Sequence, residues 1–245
     1  MALSSTSLFH FTKRYDTLVK ILKEGLQPRY CVEYDWGDKD LIIPMICTCD
    51  IPLSETRIHV GKYGKYGIGL NKSFAKACGF TPVFYISNKC MLYKIITKFA
   101  ESLTMTSISK DPWNVLREEQ LLYYVKRTTG TPCDREHLHM SKLPKFSNEK
   151  EWRYIPEISD SVHMNIAKKG RGQDVNLNAL NRTTQDKKIE LTPDDITYVF
   201  VSSEGEREKL INDIKDIARS NPKWRNKESI AISKIISCEQ IQCDF

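Results

Sequence analysis

The segment Thr197-Tyr-Val-Phe-Val-Ser202 puts β-branched and aromatic residues in consecutive positions. It runs directly into Glu204–Arg219, where Leu210, Ile214 and Ile217 fall on one helical face. A buried strand that feeds an amphipathic helix must pack that helix against its sheet, which directs the chain toward an α+β fold. The same alternation marks the start of the chain. Leu8 to Thr12 reads as a short strand, and a helix behind Asp16 sets Leu18, Ile21 and Leu22 on one face before Gly25 stops it. Leu41 to Cys49 is an apolar run containing Pro44, expected as an edge strand or a strand start because proline lacks the ladder donor. Asp50-Ile-Pro-Leu-Ser54 is a turn that opens a short helix near Glu55.

Further along, Tyr66-Gly-Ile-Gly-Leu70 is expected to be a strand, followed by a helix capped by Asn71 or Ser73 that runs to Cys78 and Gly79. Val83 to Ile86 reads as a buried strand and residues 90–109 as helix. Asp111-Pro112 opens a helix that carries Trp113, Leu116, Leu121, Tyr124 and Val125 inward, and Gly130 and Pro132 end it. Glu151-Trp-Arg-Tyr-Ile155 alternates with period two, as a strand does. Residues 160–190 are polar and read as a long mobile loop, and Ile230 to Ile236 reads as a final strand. There is no internal repeat, and the expectation is a single domain over residues 1–245, with a mixed sheet flanked by helices.

Composition supports this and excludes several function classes. Hydrophobic residues make up 40% and charged residues 28% of the 245, which suits a packed core and argues against disorder. No stretch approaches the roughly 18 apolar residues that span a bilayer, and no secretory leader is read at the N-terminus, so the expected location is the cytoplasm. The eight cysteines are irregularly spaced, as expected of reduced thiols. A net charge of +6 permits a phosphate or nucleic-acid partner without demanding one. The densest basic patch, Lys168-Lys-Gly-Arg171, is either a solvated loop or such a contact.

Three groups of residues can carry chemistry. His10 and Thr12 share a strand face, where an imidazole and a hydroxyl can bind a ribose; the alternative is a polar strand face turned to solvent. Tyr63 and Tyr66 stand beside Gly64, Gly67 and Gly69. The tyrosines can stack on a flat ring while the glycines let a ligand approach the backbone; the alternative is a kinked strand packed tightly on a helix. This spacing is neither a Rossmann nor a P-loop fingerprint. Glu149, Glu151 and Arg153 share the third strand's face, where a carboxylate can steady a cationic transition state and Arg153 can pair a phosphate. The alternative is a structural ion pair. Cys47-x-Cys49 with His137-x-His139 does not match a zinc ligand frame, and no metal site is assigned.

The ordered motifs Leu8-Phe-His-Phe-Thr12, Leu18-x-x-Ile-Leu-x-x-Gly25, Pro28-x-Tyr-Cys-x-Glu33, Cys49-Asp-Ile-Pro-Leu-Ser54, Tyr63-Gly-x-Tyr-Gly-Ile-Gly-Leu70 and Glu149-x-Glu-Trp-Arg-Tyr154 resemble the AbiGi abortive-infection family. The resemblance implies phage defence, as the antitoxin half of a two-gene system whose toxin partner is of the nucleotidyltransferase type. More distantly, the order His10, Tyr66, Glu151 is similar to that of ADP-ribosyltransferases, which implies a strongly bent mixed sheet and NAD as substrate. In that likeness His10, Tyr66 and Glu151 are catalytic. His10, Thr12, Tyr63, Gly67, Gly69 and Arg153 hold the dinucleotide, and a phage or host macromolecule accepts the ADP-ribose. Either Glu149 or Glu151 would be the acting carboxylate, and Ile68 and Leu70 stand where those enzymes carry an aromatic residue.

Overall fold

The computed structural model describes residues 5–36, 39–102, 118–129, 145–157, 165–168 and 175–244. Its elements, in chain order, are β1 (Ser7–Thr12), α1 (Tyr15–Glu24), β2 (Arg29–Trp36), β3 (Lys39–Cys49), α2 (Thr56–Tyr63), β4 (Tyr66–Asn71), α3 (Lys72–Ala77), β5 (Thr81–Pro82), β6 (Phe84–Ile86) and α4 (Met91–Ser102). There follow β7 (Val125–Arg127), β8 (Glu151–Tyr154), β9 (Asn165–Lys168), α5 (Leu177–Arg182), β10 (Ile196–Val201), α6 (Arg207–Ser220), α7 (Glu228–Ile232), β11 (Ile235–Ser237) and α8 (Cys238–Asp244). Helices plus a mixed sheet make the chain α+β, as the sequence implies. It separates into two compact units, one built from Met1–Gln27, Cys47–Phe80 and Lys188–Phe245, the other from Pro28–Ile46 and Thr81–Lys187.

The first unit centres on β4, which runs antiparallel to β1 on one side and to β10 on the other, while β10 runs parallel to β11. Residues directly opposite across strands share a face. Pairing of Phe9 with Gly69 and Phe11 with Gly67, and of those glycines with Tyr198 and Phe200, therefore gathers four aromatic rings over two missing side chains. Phe9 meets Phe200 edge-on at 5.5 Å and Tyr198 at 5.9 Å. A Cβ on Gly69 would lie 3.1 Å from both the Phe9 and Tyr198 rings, and one on Gly67 would lie 2.4 Å from the His10 carbonyl oxygen. The glycines are thus required by strand packing. Cys49, Ile51 and Ile241 of α8 complete this face.

The opposite face carries Leu8, His10, Thr12, Tyr66, Ile68 and Leu70. Leu18, Ile21 and Leu22 of α1 are buried, as are Leu210, Ile214 and Ile217 of α6, so both helices turn inward the stripes that periodicity assigns them. Asn71 caps α3 by accepting from the Ser73 N–H. Trp224, fully buried behind α6, donates its indole N–H to the Leu191 carbonyl at 2.8 Å.

In the second unit β2 and β9 flank β3, so Leu41 and Ile42 have partners on both sides. The strand expected at an edge is internal there. Pro44 is tolerated because it sits past the last residue paired with β9 and faces Tyr30 on β2. Tyr30, Val32 and Ile42 form a small core closed by Val175, Leu177 and Leu180. Short pairs β5–β8 and β6–β7 complete the unit.

Other expectations need correction. Residues 160–190 are not structureless, since β9 and α5 fall within them; Asn176 caps α5, and an Asn there reads as loop on composition alone. Residues 228–232 are helix, and the final strand is confined to Ile235–Ser237. Residues 118–124 form a 3-10 helix and Val125 opens a strand, where an α-helix was expected to run on. Phe84, expected in a buried strand, is 57% exposed. The helix start at Asp111-Pro112 with Trp113 and Leu116, and the pair His137 and His139, lie outside the described residues.

Two glycines near the end of α2 give a matched test of this geometry. Gly64 adopts φ 121°, where a Cβ would sit 2.2 Å from the Thr12 carbonyl oxygen, whereas nothing lies within 4 Å of a Cβ on Gly61 inside the helix. Gly64→Ala is expected to cost about 1–3 kcal/mol and Gly61→Ala to add about 0.5–1 kcal/mol, read as opposite shifts in the urea midpoint.

Candidate functional site

The sequence-derived site residues divide between the two units. His10, Thr12, Tyr63, Tyr66, Gly67 and Gly69 belong to the first, and Glu149, Glu151 and Arg153 to the second. Within the first unit, the register puts His10 and Thr12 on one face with Tyr66, as their spacing implies. His10 Nδ1 lies 2.8 Å from the Cys47 carbonyl oxygen. A carbonyl can only accept, so Nδ1 carries the proton and Nε2 is left as an acceptor in the neutral ring. Burial lowers the His10 pKa against the opposing pull of that carbonyl, which favours this neutral form.

Tyr66 is engaged elsewhere. Its hydroxyl donates to Glu206 at 2.8 Å, and the other Glu206 oxygen accepts the Ser202 N–H at 3.0 Å. The Tyr15 ring meets Tyr66 edge-on at 5.8 Å, its hydroxyl donates to Asp213, and Lys209 lies over the ring at 4.1 Å. Burial, then the bond to Glu206, raises the Tyr66 pKa, so it remains a phenol at neutral pH. Tyr63, at the end of α2, is 37% exposed beside the His59 ring at 6.0 Å. Cys49 donates its thiol to the Phe9 carbonyl. Among the described residues, no group of three or more His, Cys, Asp or Glu side chains is arranged to hold a metal ion.

The densest electrostatic feature lies in the second unit. Arg153 is completely buried, with Nε and Nη2 donating to Glu151 at 2.7 and 3.3 Å, Nη2 to Glu33 at 2.8 Å, and Nη1 to the Tyr123 carbonyl at 2.7 Å. Lys126 donates to Glu151 at 2.8 Å and to Glu149 at 3.1 Å. The Glu151 N–H donates to the Tyr85 hydroxyl at 3.0 Å. β8 therefore inverts the usual pattern, burying its charged residues and leaving Trp152 and Tyr154 half-buried.

Burial alone would push the Glu151 carboxyl up, but Arg153 and Lys126 outweigh it and hold it well below the usual carboxylate range. Burial likewise pulls the Lys126 ammonium down, and Glu151, Glu33 and Glu149 more than reverse that. Cys31, beside Glu33 in sequence, is pushed up to about 11 by burial and then by Glu33, which makes it a poor nucleophile. Spacing correctly placed Glu151 and Arg153 on one strand face. It placed Glu149 there too, but Glu149 ends a 3-10 turn, and Lys150 adopts φ 43° before the strand begins. Glu33 and Lys126 were not identified from sequence. They come from distant segments, and no local pattern links them to β8.

The cluster makes stability depend on acid. The depressed Glu151 pKa contributes stability that is complete above the ordinary carboxylate value and is lost as pH falls below about 4.5 toward the folded-state value. Glu151→Gln leaves Arg153 and Lys126 short of a buried counter-charge. It is expected to cost about 3–5 kcal/mol at pH 7, with a smaller penalty at pH 3, as measured by urea titration at the two pH values.

Known sequences resemble this chain. A family model described as "Putative abortive phage resistance protein AbiGi, antitoxin" matches residues 25–202. An abortive phage resistance protein AbiGi from Lactococcus lactis subsp. cremoris is 29% identical over 228 residues, spanning 84% of this chain and 90% of that protein. No solved structure matches the chain. Among the described residues no helix is long and apolar enough to cross a membrane. With the family model covering well over half of its length, the chain belongs to the AbiGi family of abortive phage resistance proteins.

Proposed function

We propose that this chain acts in phage defence as an antitoxin, in the bacterial cytoplasm, restraining a toxin by binding it. The observation that carries this reading is the family match, whose description includes the antitoxin role, over residues 25–202. The state of Glu151 points the same way. Both its oxygens are held by Arg153 and Lys126, and its side chain is 7% exposed, so the carboxylate is committed to the interior. A binding protein needs a scaffold of fixed register and a surface, and a buried charge cluster that tolerates few alternative pairings supplies the first. The type of toxin carried by the resemblance is a nucleotidyltransferase.

A second reading treats the chain as an ADP-ribosyltransferase-like enzyme with a strongly bent sheet, using NAD as substrate. The observation that favours it is His10, whose Nε2 is an acceptor suited to a ribose hydroxyl, with Thr12 on the same face. Tyr63, 37% exposed, would stack on the nicotinamide. In the transfer, an acceptor oxygen or nitrogen on a phage or host macromolecule forms a bond to ribose C1′. The C1′–nicotinamide bond breaks, nicotinamide leaves with the bonding pair, and the acceptor's proton passes to solvent.

Co-expression with the protein encoded by the adjacent gene separates the two. The expected result is that the chain relieves that protein's toxicity, that His10→Gln relieves it equally, and that purified chain releases no nicotinamide from NAD. The glutamine amide can still donate to the Cys47 carbonyl, so the variant is expected to keep its melting temperature to within a few degrees. Nicotinamide release by the wild type that is lost in a folded His10→Gln protein would replace the antitoxin reading with the enzymatic one.

A further inference from the structure

The helix α4 is apolar over about half of its circumference, and among the described residues only part of that arc is buried. Ile96 and Ala100 are buried. At 100° per residue, Met91, Ile95 and Leu92 form the adjoining strip, with half-buried Phe99 within it, and they are 70%, 57% and 39% exposed. By contrast, the apolar stripes of α1 and α6 are spent on the core of the first unit. Lys94 and Lys98, one helical turn apart and both exposed, run along one edge of the strip, with Glu101 beyond them and exposed Lys89 just before the helix. Leu121, in the 3-10 helix that packs against α4, is a further 63% exposed. Exposed Met, Leu and Ile on one helix face are the composition of adaptable helix-binding surfaces.

We propose that this face of α4 is the docking surface for the partner protein, and that the docked element is an amphipathic helix whose apolar stripe is edged by Asp or Glu. The proposal rests on the antitoxin reading above. The charge pattern selects the occupant. Three lysines against one glutamate leave the rim positive, so carboxylates along the incoming helix are drawn to the lysine row while its leucines and isoleucines cover Met91, Leu92 and Ile95. A second copy of the chain would bring another lysine-edged strip to the same place, which this rim disfavours.

The test uses the full chain and a synthetic helical peptide of about 20 residues with leucines at helical spacing flanked by glutamates, together with its twin carrying lysines instead. Fluorescence anisotropy at low and high salt is expected to show saturable binding of the acidic peptide that weakens with salt. The basic twin should bind at least about tenfold more weakly. Ile95→Asp should abolish binding, and Lys94→Glu/Lys98→Glu should reverse the preference; both sites are exposed, and circular dichroism confirms that the variants keep the fold. Both variants should also lose relief of toxicity in the co-expression assay. Equal affinity for the two peptides, or no saturable binding, overturns the proposal. So does preferential binding to phosphatidylglycerol vesicles, a concentration-dependent dimer dispersed by Ile95→Asp, or full relief of toxicity by variants that no longer bind peptide. Peptide binding that follows the expected pattern, with no relief of toxicity by the wild type, supports the surface and removes the antitoxin reading instead.

Discussion

A fully buried guanidinium sets terms that the second unit must meet. Arg153 brings a fixed positive charge and a rigid fork of donors into the interior, and each direction of that fork needs an acceptor. Glu151 answers from the same strand, Glu33 from β2 and the Tyr123 carbonyl from the 3-10 turn. The second and third acceptors are 120 and 30 residues away in the chain, so one side chain dictates where three segments must meet. Two glutamates on Arg153 and a third nearby then overshoot the charge, which explains why Lys126 is buried among them. Such a network contributes little net stability compared with an apolar core of the same volume, but it tolerates few alternative pairings. Its effect is to fix register.

The first unit solves a different problem with different means. A strand between two aromatic-rich neighbours has no room for side chains on the crowded face, so β4 alternates glycine with tyrosine, isoleucine and leucine. The sequence pattern Tyr-Gly-Ile-Gly-Leu admitted two explanations, a ligand cleft and close strand packing. The atoms that a Cβ would meet are those of His10, Phe9, Phe11, Thr197 and Tyr198, all on adjoining strands. Packing alone therefore accounts for both glycines.

What was legible in the sequence follows from how far apart the relevant residues lie. Elements whose evidence is local were read well. The stripes of α1 and α6, the stop at Gly25, the Asn71 cap and the alternation in β8 all fall within a few residues of one another. Failures cluster where the deciding partner is remote. Pro44 suggested an edge strand because β9, some 120 residues later, carries no strong signal of its own. The polar composition of residues 160–190 hid both β9, which pairs with β3, and α5, whose Leu177 and Leu180 pack on Tyr30, Val32 and Ile42. At the candidate site, period-two spacing found Glu151 and Arg153, but nothing near them announced Glu33 or Lys126. Family motifs carried Glu33 without assigning it a task.

The order of segments in the first unit has a consequence for synthesis. β4 leaves the ribosome with β1 already available, yet its other neighbour, β10, is encoded more than a hundred residues later. Until translation passes Val201, the glycine-bearing strand has one open edge, and Phe9 and Phe11 lack the rings of Tyr198 and Phe200 that shelter them. A ribosome stalled anywhere upstream would thus release a chain with an exposed strand edge and bare aromatics, a substrate for chaperones and proteases. In a cell whose protein synthesis is failing, the supply of intact molecules would drop sooner than the supply of shorter proteins made at the same rate.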